Sequence, residues 1–494
     1  MSIMRSLALV FILFALFLRI RQFLVNRSLW LDEAMLALNI VTRSFTELTR
    51  PLDYGQGAPI GFLYIEKIVV GLFGNQDYIL RLFPLAAGMV SMFLIYKMAN
   101  SYFKGTGVLL VSVLYAVSER LIYYASEAKQ YSSDATITLF LLLLGNRCLV
   151  PNANLRLFIA FGFGAALSMW ISHPAVFIIT AISISLTFDR LLRRDWQRLL
   201  WLWGILFMLL INFAVLYFVS LRSLAADTYL LNYWRKGFMP MPPWSNIAWF
   251  PNAFISMLEN PAGLSVVPLS GVALFFGSLS FFVRKWQFAL FLIMPFSIVL
   301  LASGFEKYPF SERLLLFIVP IVFFLIVEGI ERFRLILTRI NFWIAVGAWA
   351  ILAVMLLYYP TKIALKNLEY PILGEHIKPV MSYVSQHKVN GDLIYIYYAA
   401  EPAFAYYASL YGFGENDYFI GIKSRQEPGK YIQDIDKVRE YNRVWFLFSH
   451  NCSWCLVNEE LFLLNHIDKI GKRLDEFKSP GASVYLYKLS EKRQ

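Results

Sequence analysis

Charge is scarce in this chain: Asp, Glu, Lys and Arg make up 16% of its 494 residues, against 58% hydrophobic residues and a mean hydropathy of +0.56. A soluble globular chain carries about a quarter charged residues, so this composition excludes one. Several apolar runs approach bilayer-spanning length, which makes the chain a polytopic integral membrane protein. Cysteine is also scarce, at Cys148, Cys452 and Cys455 only. A zinc centre built on Cys452, Cys455 and His450 lacks a fourth ligand. No small-residue cleavage site follows the apolar run Leu7 to Leu18, which excludes a signal peptide and leaves a retained first helix. There is no internal repeat and no low-complexity tract. Gly412-Phe-Gly414 follows an expected helix rather than a strand, so it is no nucleotide loop.

What is present is a series of apolar runs separated by short basic segments. Spans are expected at Ser6 to Val25, Ile79 to Ala99, Gly107 to Ile122, Tyr131 to Leu149, Leu157 to Ser172, Ala175 to Phe188, Leu199 to Leu221, Leu264 to Val283, Phe288 to Ser303, Leu314 to Ile330 and Phe342 to Tyr359. That is about eleven transmembrane helices of roughly 15 to 25 residues each. With the N-terminus inside, Lys97/Lys104, Arg147/Arg156, Arg190/Arg193/Arg194/Arg198, Arg284/Lys285 and Arg332/Arg334/Arg339 all fall on the cytoplasmic side. The net charge of +12 therefore reports topology, not a nucleic-acid partner. Pro59 to Phe73 is short and carries Glu66 and Lys67, which cost about 2.5 to 3.5 kcal/mol each on insertion scales, so it is read as a juxtamembrane helix. Cys148 lies near the inner end of a span, as a packing residue.

Residues 1–360 form the transmembrane catalytic domain on this reading, and residues 361–494 form an extracytoplasmic soluble α/β domain. In the latter, β-rich runs at Asp392 to Tyr398, Tyr418 to Ile422, Arg443 to Phe448 and Ser483 to Lys488 alternate with helical stretches at Pro402 to Tyr411, Tyr431 to Tyr441 and Cys455 to Lys469. Cys452-Ser-Trp-Cys455 opens the last of these, and outside the cytoplasm a local disulfide is the expected state.

Polar residues with chemical potential collect in the exterior loops. Asp32 and Glu33 follow the first span, where adjacent acids can also serve as helix caps. The run Tyr123-Tyr-Ala-Ser-Glu-Ala-Lys-Gln-Tyr131 carries Glu127, Lys129 and Tyr131; if it enters a helix, Glu127 and Tyr131 share a face at i and i+4. His173 sits at an outer helix end and Arg313 at the entry to the tenth span, where it can equally snorkel to headgroups. Acids and bases thus converge on one face of the membrane.

Arg19, Leu29-Trp-Leu-Asp-Glu-Ala34, Ala58-Pro-Ile-Gly-Phe-Leu-Tyr64, Leu72-Phe-Gly74, Leu80-Arg-Leu-Phe-Pro84 and Tyr123 to Tyr131, in that order, resemble the signatures of GT-C glycosyltransferases. The chain is similar to the branch of protein O-mannosyltransferases and lipid A aminoarabinose transferases, with many bacterial members. The resemblance implies a GT-C fold in a bacterial inner or plasma membrane. It also implies transfer of a sugar from a polyprenyl-phosphate donor to a glycan, lipid or protein acceptor on the exterior face. Asp32 is then the general base, with Glu33 orienting the acceptor or supporting local structure; Lys129 and Arg313 hold the donor phosphate; Glu127 and Tyr131 hold the sugar or position Lys129; and His173 is a pocket residue. Some members use a divalent cation, for which Asp32, Glu33 and Glu127 offer oxygen ligands, while others work without metal. Where aminoarabinose transferases carry a Glu-Lys pair, this chain has Gln56-Gly57. A transporter or flippase of lipid-linked saccharides is the competing class, and it predicts ionisable groups near the bilayer midplane.

Overall fold

The structure is a computed structural model that describes residues 3–450 and 458–489. The Cys452 and Cys455 pairing expected from the sequence lies outside the described residues. The chain divides into two compact units, Met1–Leu24 with Arg43–Pro371, and Val25–Thr42 with Ile372–Gln494.

In chain order the helices begin with α1 (Ile3–Leu24), α2 (Leu31–Thr42), α3 (Ile60–Phe73), α4 (Leu82–Tyr102), α5 (Gly105–Val117), α6 (Glu119–Tyr124), α7 (Tyr131–Cys148), α8 (Leu155–Ile171), α9 (Ala175–Leu192) and α10 (Trp196–Leu216). Short helices α11 (Arg222–Leu224), α12 (Thr228–Tyr233) and α13 (Trp249–Glu259) follow, then α14 (Val267–Gly304), α15 (Val319–Thr338) and α16 (Phe342–Glu369). All but α2 belong to the first unit. Among the described residues seven helices are long and apolar enough to cross a membrane, with α5 and α8 shorter but also apolar. Every expected span coincides with helix. The two spans expected at Leu264 to Val283 and Phe288 to Ser303 are the two arms of α14, whose backbone leaves helical geometry at Lys285 and brings the Phe281 and Phe288 rings to 5.6 Å. The span expected at Gly107 to Ile122 breaks at Ser118 into α5 and α6.

The order of burial shows what holds this unit together. On α15, every residue from Val319 to Glu331 is buried, whereas α10, α14 and α16 expose Phe207, Phe275 and Val354, as helices solvated by lipid do. Two backbones meet almost directly where α14 crosses α15: a Cβ on Gly277 would lie 1.8 Å from the Leu325 carbonyl oxygen, and one on Gly329 would lie 2.1 Å from that of Ala273. Small residues allow that approach, and dispersion between the two backbones follows from it. Buried arginines close helix ends: Arg19 donates to the Tyr115 and Ala116 carbonyls at the end of α5, and Arg190 to the Cys148 and Val150 carbonyls at the end of α7.

In the second unit, α17 (Ile377–His387), α18 (Glu401–Tyr407), α19 (Pro428–Ile435) and α20 (Glu459–Ile470) surround one five-stranded sheet. Its strands β1 (Leu393–Ile396), β2 (Tyr418–Ile420), β3 (Arg443–Ser449), β4 (Gly471–Ser479) and β5 (Ala482–Leu489) run in the order β2-β1-β3-β5-β4. The β2-β1-β3 part is parallel and the β3-β5-β4 part antiparallel. Central strands β1 and β3 are almost wholly buried, consistent with helices on both faces. Edge strand β4 is mostly charged, with only Leu474 and Phe477 apolar between Lys472 and Lys478, and was not expected from the sequence; lysines blunt an exposed edge. Helix α2 packs on α18.

The α14–α15 crossing yields a direct test. Gly329→Val must force the helices apart, at a cost of about 3 kcal/mol or more, and should abolish the monodisperse peak in size-exclusion chromatography. Gly347→Ala on α16, which meets open space, should leave it intact. A normal peak for Gly329→Val would contradict the crossing.

Candidate active site

The first unit builds one cluster around the turn between α6 and α7. This turn is interior: Glu127, Lys129 and Gln130 are all buried. Its neighbours explain why. Ser132 Oγ donates to the Pro84 carbonyl on α4 at 2.9 Å, and Gly88 leaves room for Ala125 against the same helix. Lys129 Nζ donates to Gln56 Oε1 at 2.6 Å, and Gln130 Nε2 to the Gly57 carbonyl at 3.4 Å, so the segment after Arg50 is stitched to the turn. Gly57 is held small by Leu224, whose Cδ1 would lie 2.7 Å from an added Cβ.

Helix α7 starts at Tyr131, so Glu127 belongs to the turn and not to a helical face shared with Tyr131. The Lys129 amide closes back onto the Glu127 carbonyl at 2.7 Å, a tight turn that replaces the expected helical spacing. Tyr131 packs edge-on against Tyr124, with centroids 5.1 Å apart. The Arg313 guanidinium lies 6.0 Å from the Tyr131 ring centre and 5.5 Å from that of Trp234, within cation–π range. Tyr308 fixes the segment carrying Arg313 by donating to the Leu314 carbonyl at 2.7 Å.

Sequence reasoning missed Asp134 as a member of this cluster and gave no role to Gln56, Tyr124 or Trp234. Asp134 is buried one turn into α7, beside Ser172 and Tyr308. A signal was available, because an acid inside an apolar helix is costly enough to be treated as functional by default. His173, beside Ser172, is half-buried, and its Nε2 has no hydrogen-bond partner among the described residues.

Asp32 and Glu33 belong to the second unit. Leu31 begins α2, with Trp30 at its N-cap, so the two acids occupy the first turn, where the helix dipole favours negative charge. Glu33 is fully buried and its Oε2 accepts from Arg27 Nη1 at 2.6 Å and from the Trp30 amide at 3.4 Å. The second bond is one half of a capping box. Glu33 is thereby tied to the local fold of the motif, while Asp32 is half-buried. Among the described residues no group of three or more His, Cys, Asp or Glu side chains is placed to hold a metal ion.

Burial pushes the His173 imidazole down to about 4, so it is neutral at pH 7. The unfolded chain takes up a proton near pH 6.5, before the folded one does. Its stability contribution is therefore complete above pH 6.5 and lost as pH falls toward 4. His173→Gln should flatten the fall in unfolding temperature between pH 6.5 and 4.5 in scanning fluorimetry, and an unchanged slope would contradict this environment.

Residues 57–218 match the family of dolichyl-phosphate-mannose-protein mannosyltransferases, an interval that includes Glu127, Lys129, Tyr131 and His173. The fold is similar to that of ArnT from Cupriavidus metallidurans in the apo state, at a TM-score of 0.54 and 12% identity over 96% of this chain and 97% of that one. The same ArnT bound to undecaprenyl phosphate aligns at a TM-score of 0.51 and 11% identity, with the same coverage. No curated protein matches the chain. The chain is thus an integral membrane protein with a GT-C fold along its length, and residues 57–218 carry the match to the mannosyltransferase family.

Proposed function

We propose that the protein transfers a hexosyl or pentosyl group from a polyprenyl-phosphate donor to a glycan, lipid or protein acceptor on the extracytoplasmic face. The observation that carries this reading is the mannosyltransferase match over the interval that holds the buried Lys129 turn. ArnT's undecaprenyl phosphate complex supports the choice of carrier. An apolar groove of about 470 Å³ between α9 and α10, lined by Ile179, Leu206 and Phe213 among others, offers the kind of recess a lipid tail needs.

In the proposed reaction the acceptor hydroxyl oxygen bonds to the anomeric carbon and the bond from that carbon to the phosphate oxygen breaks. The hydroxyl proton goes to the Asp32 carboxylate, and the carrier leaves as polyprenyl phosphate. Lys129 and Arg313 neutralise the charge that develops on that phosphate, through charge-assisted bonds worth about 1.5 to 3 kcal/mol each. Because the leaving group needs no proton, two cations can stand in for a general acid. Glu127 and Tyr131 orient the sugar, and His173 lines the pocket as a neutral ring. Glu33 supports the loop that presents Asp32. Residues 361–494 sit on the same exterior face in this reading.

Purified protein in nanodiscs, supplied with undecaprenyl-phosphate-linked hexoses and pentoses, should release undecaprenyl phosphate. Loss of a general base typically costs 10²–10⁴-fold, so Asp32→Asn should lower turnover by about 10²-fold or more. Arg313→Ala and Lys129→Ala should weaken donor use by about tenfold or more. Wild-type turnover by a folded Asp32→Asn protein would falsify the base assignment. Transport of intact donor across the bilayer without release of undecaprenyl phosphate would favour a flippase.

A further inference from the structure

We infer that the C-terminal unit is part of the catalytic apparatus, with Glu375, His376 and Tyr407 as positioning residues for Asp32. This rests on the reading of Asp32 as the base. The segment Val25–Thr42 clusters with Ile372–Gln494, more than 300 residues away in sequence, and several hydrogen bonds from the latter reach the backbone just before Asp32.

A helix start leaves its first amide groups without intrahelical acceptors, and the N-cap side chain ordinarily supplies one. Here the N-cap is Trp30, which has no acceptor. Acceptors come instead from distant residues. Leu31 N–H donates to Glu375 Oε2 at 3.0 Å, and Leu29 N–H to the Tyr407 hydroxyl at 2.8 Å. Ser28 N–H donates to His376 Nδ1 at 3.1 Å, which requires the lone pair on that nitrogen. Lys378 Nζ donates to the Asn26 carbonyl at 2.7 Å, and the Lys378 amide to Ser28 Oγ at 2.9 Å. Asn26, Ser28, Leu29 and Leu31 thus lead into α2 on a track fixed by residues distant in sequence.

The partners are themselves held. Glu375 Oε1 is bonded to His450 Nδ1 at the end of β3, so the capping carboxylate is anchored to the sheet. Tyr407 is fully buried at the end of α18, the helix on which α2 packs. Leu29, Leu36 and Ile40 are fully buried in the same segment, and each is worth about 1.5 to 3 kcal/mol relative to exposure. That apolar burial keeps the segment docked, while the hydrogen bonds set its rotation and register. Asp32 is the next residue after the Glu375-capped amide, so an error in Leu31 passes straight to the carboxylate. A displacement of about 1 Å at a reacting group can cost about 10²-fold in rate.

The test uses the full chain, expressed in a strain lacking its own copy, with the dependent envelope glycan measured by mass spectrometry at equal amounts of folded protein. Glu375→Ala and Tyr407→Phe should each lower product at least tenfold. Glu375→Gln keeps an oxygen for the Leu31 amide and should retain at least half the product, a rescue that loss of the His450 pair alone would not allow. Hydrogen–deuterium exchange should quicken at residues 28–34 in Glu375→Ala and Tyr407→Phe but not in Glu375→Gln. Wild-type product from Glu375→Ala and Tyr407→Phe overturns the positioning role, and so does equal loss in Glu375→Ala and Glu375→Gln. If Asp32→Asn itself makes wild-type product, the base reading has failed instead.

Discussion

Burying charge is costly in a chain that has so little of it, and the buried charges that find partners organise both units, whereas the carboxylate of buried Glu66 has no hydrogen-bond partner among the described residues. Water is not available inside an apolar protein or a bilayer to solvate a lone carboxylate or guanidinium. Glu328 accordingly receives Arg284, Arg332 and Ser280 where α14 meets α15, and Asp392 receives Arg443 and Trp445 at the start of β1. Arg190 spends its donors on the last carbonyls of α7 and on Asp195. The Arg27–Glu33 pair follows the same rule at the start of α2. Removing one partner of a buried pair strands the other, at about 3 to 5 kcal/mol.

That rule separates the two acids that stand together in the sequence. Glu33 faces inward and is consumed by Arg27 and the Trp30 amide; Asp32, one residue earlier on the helix, points about 100° away and stays half-buried. Two adjacent carboxylates therefore have different fates, one in the fold and one in the proposed chemistry. On the other unit, Lys129 and Arg313 are held by different kinds of contact. Lys129 lies in a buried turn bonded to Gln56, while Arg313 rests between the Tyr131 and Trp234 rings.

Much of the membrane unit was legible in the sequence, because a span needs a long apolar run and a run shows itself without any tertiary information. The reversal at Lys285 was legible too, since Arg284 and Lys285 interrupt the hydropathy. Local patterns failed where partners are distant or the residues are polar. The charged edge strand β4 lacks a hydrophobic signature, and spacing alone leaves open whether Glu127 shares the helix of Tyr131 or lies in the turn before it. The placement of Val25–Thr42 with Ile372–Gln494 depends on bonds such as Leu31 to Glu375, which no motif encodes. In the candidate site, Asp32, Lys129 and Arg313 stood out as charges beside apolar runs. Gln56, Trp234 and Asp134 are identified by their contacts.

In the proposed reaction Lys129 and Arg313 receive the phosphate of a polyprenyl carrier. A cryo-EM structure of the full chain in nanodiscs with undecaprenyl phosphate would locate that phosphate. The predicted result is a phosphate oxygen within hydrogen-bonding distance, about 2.7 to 3.2 Å, of Lys129 Nζ or an Arg313 guanidinium nitrogen. A phosphate bound at other residues, with both cations out of reach, would contradict it.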